Sequence, residues 1–280
     1  MGLPRIALSW ALCAIIAVAN YAHRSVRRSF ERFGLENRRV RQVQHHLPPP
    51  VPEAWYDEDG LDMGAHEVQL RQHVDCWVYL TAQMLCILLV YHAVSAAAET
   101  FGRLRGVAYA AAPACLGLGL VVYGLFFFFF VMMLTVNPKW RDQWRVPRPG
   151  TATSPARRWT YYESLGYPYE RWMHAMHTPL WFCPLVDVVL VKDRRGLDEF
   201  ALGAGRTCAA VVAYIVFYAS FTTWNHARTG CYVYPWMYDI DASGAGAAGH
   251  AAYYGGLSVP VCAAVLRVRR AVVPRAEKEA

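Results

Sequence analysis

Thr81, His174, His177, His226, Tyr232 and Tyr234 are the residues of this chain whose types suit acyl chemistry. A threonine hydroxyl becomes a nucleophile only when a base takes its proton, and a neutral histidine is matched to that task near pH 7. Thr81 and His177 would form such a pair. His174, His226, Tyr232 and Tyr234 carry N–H and O–H groups suited to an oxyanion or to the polar part of a substrate. Taken singly, each has a plainer explanation. A membrane threonine ordinarily bonds its own backbone or a neighbouring helix, and an interfacial histidine is ordinarily satisfied by water or a carbonyl. The chemistry therefore depends on elements that bring Thr81 and His177 together.

Those elements are apolar. The chain has 280 residues, 55% of them hydrophobic, arranged in long apolar stretches between segments rich in Arg, Pro and acids. This predicts an all-α fold, a polytopic integral membrane bundle of six transmembrane helices in a single membrane domain spanning 1–280. The helices are expected near 6–22, 74–98, 107–136, 174–191, 207–223 and 249–266. Long polar loops are expected at 23–73, with one short amphipathic helix, and at 137–173, and a polar tail at 267–280. Residues 6–22 read as a first membrane helix rather than a cleaved signal, because Arg5 alone precedes them and the cleavage pattern is weak. "DASGAGAAGHAAYYGG" reads as a flexible approach to the sixth helix.

The formal charge of +7 sits mostly in loops flanking apolar runs, with no basic stripe interleaved with aromatics, so no nucleic-acid partner is implied. Basic residues are numerous on both sides of the bundle, and charge alone does not orient it. Nothing separates an endomembrane from a plasma-membrane location, or names a protein partner. Of the eight cysteines, six lie in apolar runs and none has ligand spacing; Cys76 with Cys231 is the one extramembrane pair available.

With six spans both termini lie on one side, here side A, and helices two, four and six start from the opposite side B. Thr81 then falls near the side-B start of helix two and His177 near that of helix four. His226 falls at the side-B end of helix five, with Tyr232 and Tyr234 just beyond, and all five are expected at similar depth. Asp187 lies ten residues beyond His177, about 15 Å along a straight helix and about 80° off its face. That makes it a separate intramembrane contact near side A, with Lys192, Arg194 or Arg206 as partners. His174 and His177 share a face but are too few to hold a metal, and haem between His92 and a helix-four histidine is an outside alternative. No cofactor or metal is implied.

"WVYLT" (77–81), "HAMHT" (174–178) and "TGCYVYPW" (229–236), in this order and spacing, resemble the signature segments of the androgen-induced gene and androgen-dependent TFPI-regulating proteins. "ANYA" (19–22) resembles the end of that family's first helix. The resemblance implies a six-helix membrane threonine hydrolase acting on fatty acid esters of hydroxy fatty acids, with Thr81 as nucleophile and His177 as its base, and a lipid substrate drawn from the bilayer. A different class of reading stands beside it, a non-enzymatic membrane scaffold that holds a partner with its long side-B loops.

Overall fold

The computed structural model describes residues 3–43, 77, 79–127, 169–229, 232–233, 237, 240–241 and 243–273, with the backbone alone for 24–43, 169–170 and 172. The described residues hold no strand. The helices are α1 (Leu3–Val43), α2 (Leu80–Phe101), α3 (Arg105–Phe126), α4 (Tyr169–His177), α5 (Pro179–Val186), α6 (Arg194–Phe200), α7 (Ala204–Thr229) and α8 (Gly246–Val272). Between α5 and α6 a single π-helical turn covers Asp187–Val191. Among the described residues six segments are long and apolar enough to cross a membrane: Leu3–His23, Leu80–Phe101, Arg105–Phe126, Met173–Val191, Ala204–Thr229 and Gly246–Val272.

Burial runs inside out relative to a water-soluble protein. Val18, Tyr21, Phe101, Val189, Val216 and Val259 are exposed, while Gln83, His92, Ser95, Glu99, Asp187, Lys192 and Asn225 are buried. Lipid accepts the former, and polar groups within a bilayer must find partners inside the bundle. The chain is a multi-pass membrane protein.

Two expectations need correction. The segment after residue 22 is not a loop at its start, because α1 runs on to Val43. "HRSVRRSFERFGLENRRV" has no proline and is rich in Arg and Glu, good helix formers, so nothing stops the helix at the membrane edge. Nor is most of the approach to the last span irregular. α8 starts at Gly246, and the turn before it is made where Gly244 and Gly246 take positive φ, 77° and 47°. Residues 128–136, Cys76, Cys231 and Tyr234 lie outside the described residues.

The helices pair in alternating directions. Trp10 Nε1 donates to Thr100 Oγ1 at 3.2 Å and Asn20 Nδ2 lies 3.2 Å from Cys86 Sγ, so α1 runs antiparallel to α2. α3 packs against α2, α5 and α8. Two of its glycines, Gly117 and Gly119, lie about 200° apart around the axis and serve two interfaces. At Gly117 a Cβ would meet the Val265 side chain at 2.9 Å, and at Gly119 it would meet the Leu180 carbonyl oxygen at 1.9 Å. Small residues at such positions let helix backbones approach closely in a membrane. Leu180 O is also the acceptor that Pro184, four residues on and lacking an N–H, cannot use.

The fourth span is interrupted by Pro179 and Pro184 and ends in the π turn. Past it, Asp193 caps α6 by accepting from Gly196 N at 2.7 Å. Tyr109 Oη donates to Asp193 at 2.9 Å, and Arg105 forms an ion pair with it. Burial pushes the Asp193 carboxyl upward, but the Gly196 N–H, the Tyr109 hydroxyl and Arg105 outweigh it and hold the group below the usual carboxylate range. A depressed folded value means the stabilisation is complete above the unfolded value, about 3.9, and is lost as pH falls through the folded one. Asp193→Ala is expected to cost about 1 kcal/mol at neutral pH. Thermal unfolding in detergent, compared at pH 7 and under acid, should show the difference from wild type shrinking as pH falls.

Candidate active site

Thr81 is the second residue of α2, at the end where the helix dipole is positive and favours negative charge. Its hydroxyl lies 2.8 Å from His177 Nε2. The other ring nitrogen, Nδ1, is 2.7 Å from the carbonyl of Met173, one turn back on α4. A carbonyl can only accept, so Nδ1 carries the proton and, in the neutral ring, Nε2 presents its lone pair to Thr81. Phe126, the last residue of α3, stacks on the imidazole with centroids 3.8 Å apart and planes at 11°, which holds the ring in this orientation. His177 is buried and Thr81 half-buried.

Thr81 differs from four other threonines of the bundle. Thr100, Thr207, Thr222 and Thr229 each donate to the carbonyl four residues earlier, the ordinary arrangement in a membrane helix. The equivalent carbonyl for Thr81 is that of Trp77, which accepts from Gln83 Nε2 at 2.8 Å. Tyr214 in turn donates to Gln83 Oε1 at 3.2 Å, tying α7 to the start of α2. Gln83, Phe126 and the Met173 carbonyl were not visible as site components in the sequence. Buried Gln83, two residues from Thr81 in an apolar helix, was the one available signal.

The remaining residues divide. His174, on the same helix face as His177, is half-buried and sits edge-on to Phe126 at 5.6 Å, beside the Thr81–His177 pair. His226 and Tyr232 come together elsewhere: their rings stack at 3.6 Å and 4°. Tyr232 donates to Asp241 at 2.7 Å, and Asp241 also meets His250 Nε2 at 2.9 Å. The Tyr232 hydroxyl, then the His250 contact, keep the Asp241 carboxyl below its usual range against the opposing effect of burial.

This second cluster adjoins the level of Thr81 on one side: Tyr232 shares a cluster with Tyr218, Met237 and Tyr254, against which Leu80, the residue before Thr81, also packs. Val211 of α7 forms a cluster with Val261 and Val265 of α8, against which Leu118 and Val121 of α3 pack. His226, eight residues beyond Tyr218 on α7, lies about 12 Å further along that helix by rise. Tyr232 bridges that distance, stacking on His226 and packing in the cluster with Tyr218, Met237 and Tyr254. Both Asn225 amide atoms and His250 Nδ1 are buried there without a protein partner among the described residues.

At the opposite end, Asp187 accepts from Tyr91 Oη and from Ser95 Oγ, the latter at 2.9 Å. Lys192 is its charge partner at 3.6 Å, and also reaches Ser95 at 2.5 Å and Glu99 at 3.4 Å. His92 is fully buried beside Tyr91, in this layer and not in that of Thr81. Among the described residues no group of three or more His, Cys, Asp or Glu is arranged to hold a metal. No protein-family model, curated protein or solved structure matches the chain.

Proposed function

We propose that the chain is a membrane-embedded hydrolase of long-chain acyl esters, with Thr81 as nucleophile and His177 as general base. The observation that carries this reading is the 2.8 Å contact from the Thr81 hydroxyl to His177 Nε2, with Nδ1 already committed to the Met173 carbonyl. An ester enters laterally from the bilayer. Nε2 takes the Thr81 proton as Oγ1 adds to the carbonyl carbon, and the oxyanion forms at the positive end of α2. Collapse expels the alcohol, which takes the proton back from Nε2 and leaves an acyl-threonine. Water then adds to that ester, giving its proton to Nε2, and the carboxylic acid leaves as Thr81 recovers its hydrogen.

The apolar surroundings suit methylene burial, which supplies affinity, while the polar pair sets where along the lipid the reaction occurs. Fatty acid esters of hydroxy fatty acids are the substrate class proposed, on the strength of the three sequence segments described above. The test is covalent. The purified protein is treated with a lipophilic fluorophosphonate and digested, and the adduct is mapped by mass spectrometry. An adduct at Thr81 that a long-chain ester competes away is the expected result. Absence of Thr81 labelling together with absence of ester turnover would favour the scaffold reading instead.

A further inference from the structure

Thr81 meets His177, and Tyr91 meets Asp187: each contact joins residues 96 positions apart, once at the side-B end of α2 and once ten residues deeper. α2 and the fourth span therefore run parallel and in one register. The fourth span cannot hold that register through its own backbone. Pro179 and Pro184 remove the hydrogen bonds to the carbonyls four residues back, and a helix so interrupted bends readily. The piece carrying His177 is thus linked to the piece carrying Asp187 through two weakened turns.

What fixes the deeper piece is the polar face of α2. Tyr91, Ser95 and Glu99 recur every four residues and so line one side of the helix. The π turn presents two residues to that side. In an α-helix Lys192 would stand about 140° round from Asp187. Here the turn closes through Lys192 N donating to Asp187 O at 2.8 Å, and both side chains reach α2. The Lys192 ammonium also lies 4.9 Å from the centre of the Tyr109 ring, which brings α3 into the same junction. Sliding the span by one turn, about 5.4 Å, would part Asp187 from Tyr91 and stretch the Thr81–His177 contact past hydrogen-bonding reach.

We infer that Asp187, with Tyr91 and Lys192, is a positioning device for the Thr81–His177 pair, setting their separation from the far end of the same two helices. The inference rests on the hydrolase proposal for its consequence and on the shared register for its geometry. Tyr91→Phe is the mild variant, because Asp187 keeps Ser95 and Lys192. Asp187→Asn combined with Lys192→Met and Glu99→Gln removes the three charges together, so that none is left buried alone. Both are expected to lower kcat by about 10- to 100-fold with KM changed less than about twofold, the signature of a misplaced catalytic pair.

A second readout needs no turnover. In a background lacking the native cysteines, Thr81→Cys with His177→Cys is joined by a short bis-methanethiosulfonate, and the yield should fall severalfold when Tyr91→Phe is added. Unchanged cross-linking and unchanged kcat in both variants would overturn the positioning role while leaving the hydrolase reading intact. Equal ester hydrolysis by wild type and Thr81→Ala would instead remove the hydrolase reading, and the cross-linking yield would then decide the register on its own.

Discussion

Thr81→Ala is expected to bring turnover of a long-chain acyl ester to the uncatalysed background, and His177→Ala to lower kcat by about 10²- to 10⁴-fold. The two losses should not add. With the nucleophile absent, His177 has no hydroxyl to activate, so the double variant should match Thr81→Ala. Thr81→Ser keeps a hydroxyl at the same place and should retain turnover that His177→Ala then removes. Folding should survive in all of them, since Thr81 is half-buried and its hydroxyl serves no backbone carbonyl. Single-turnover assays on detergent-purified protein, with the thermal midpoint recorded beside each rate, read all of this. Full turnover by both alanine variants would sink the proposal.

Gly119→Ala is expected to be the most damaging single-methyl change in the bundle. The new Cβ would sit 1.9 Å from Leu180 O and 2.9 Å from Leu180 C, both backbone atoms that cannot rotate away. Overpacking of this kind typically costs about 1–3 kcal/mol, occasionally more. Relief requires α5 to move off α3, and α5 follows directly on His177, so activity should fall even in the fraction that folds. Gly124→Ala, where nothing lies within 4 Å of the added atom, is the control on the same helix. Thermal unfolding in one detergent should place Gly119→Ala well below wild type and Gly124→Ala beside it. Equal midpoints for the two would show that the α3–α5 seam is looser than described.

How far the sequence discloses this arrangement differs between its parts. Apolar length located all six spans, because the bilayer imposes a minimum that few other constraints mimic. Topology placed Thr81 and His177 on one side among five candidates, and the chemistry of a threonine beside a histidine, with the resemblance, singled out the pair. Depth was harder. α7 runs 26 residues, about 39 Å, so that His226 lies beyond Tyr218, while Tyr232 turns back to the cluster that Leu80 joins at the start of α2.

Asp187 was separable from His177 by helical rise, and Lys192 was among its foreseeable partners. Its hydroxyl donors were not recognised, although Tyr91, Ser95 and Glu99 at four-residue spacing in an apolar helix were the trace they left. The π turn had no visible sign, since no residue type demands one. The continuation of α1 was missed for the opposite reason. A charged sequence next to a membrane invites reading as a loop, although its propensities favour helix.

The bond from His177 Nδ1 to the Met173 carbonyl gives the imidazole a single working port. Every proton that the ring accepts or returns must pass through Nε2, on the side where Thr81 stands. In the proposed reaction the departing alcohol and the arriving water would use that port in turn, the second entering only after the first has gone. A small alcohol added to the medium would queue there with water, and the enzyme would make a new ester in proportion to that alcohol's occupancy.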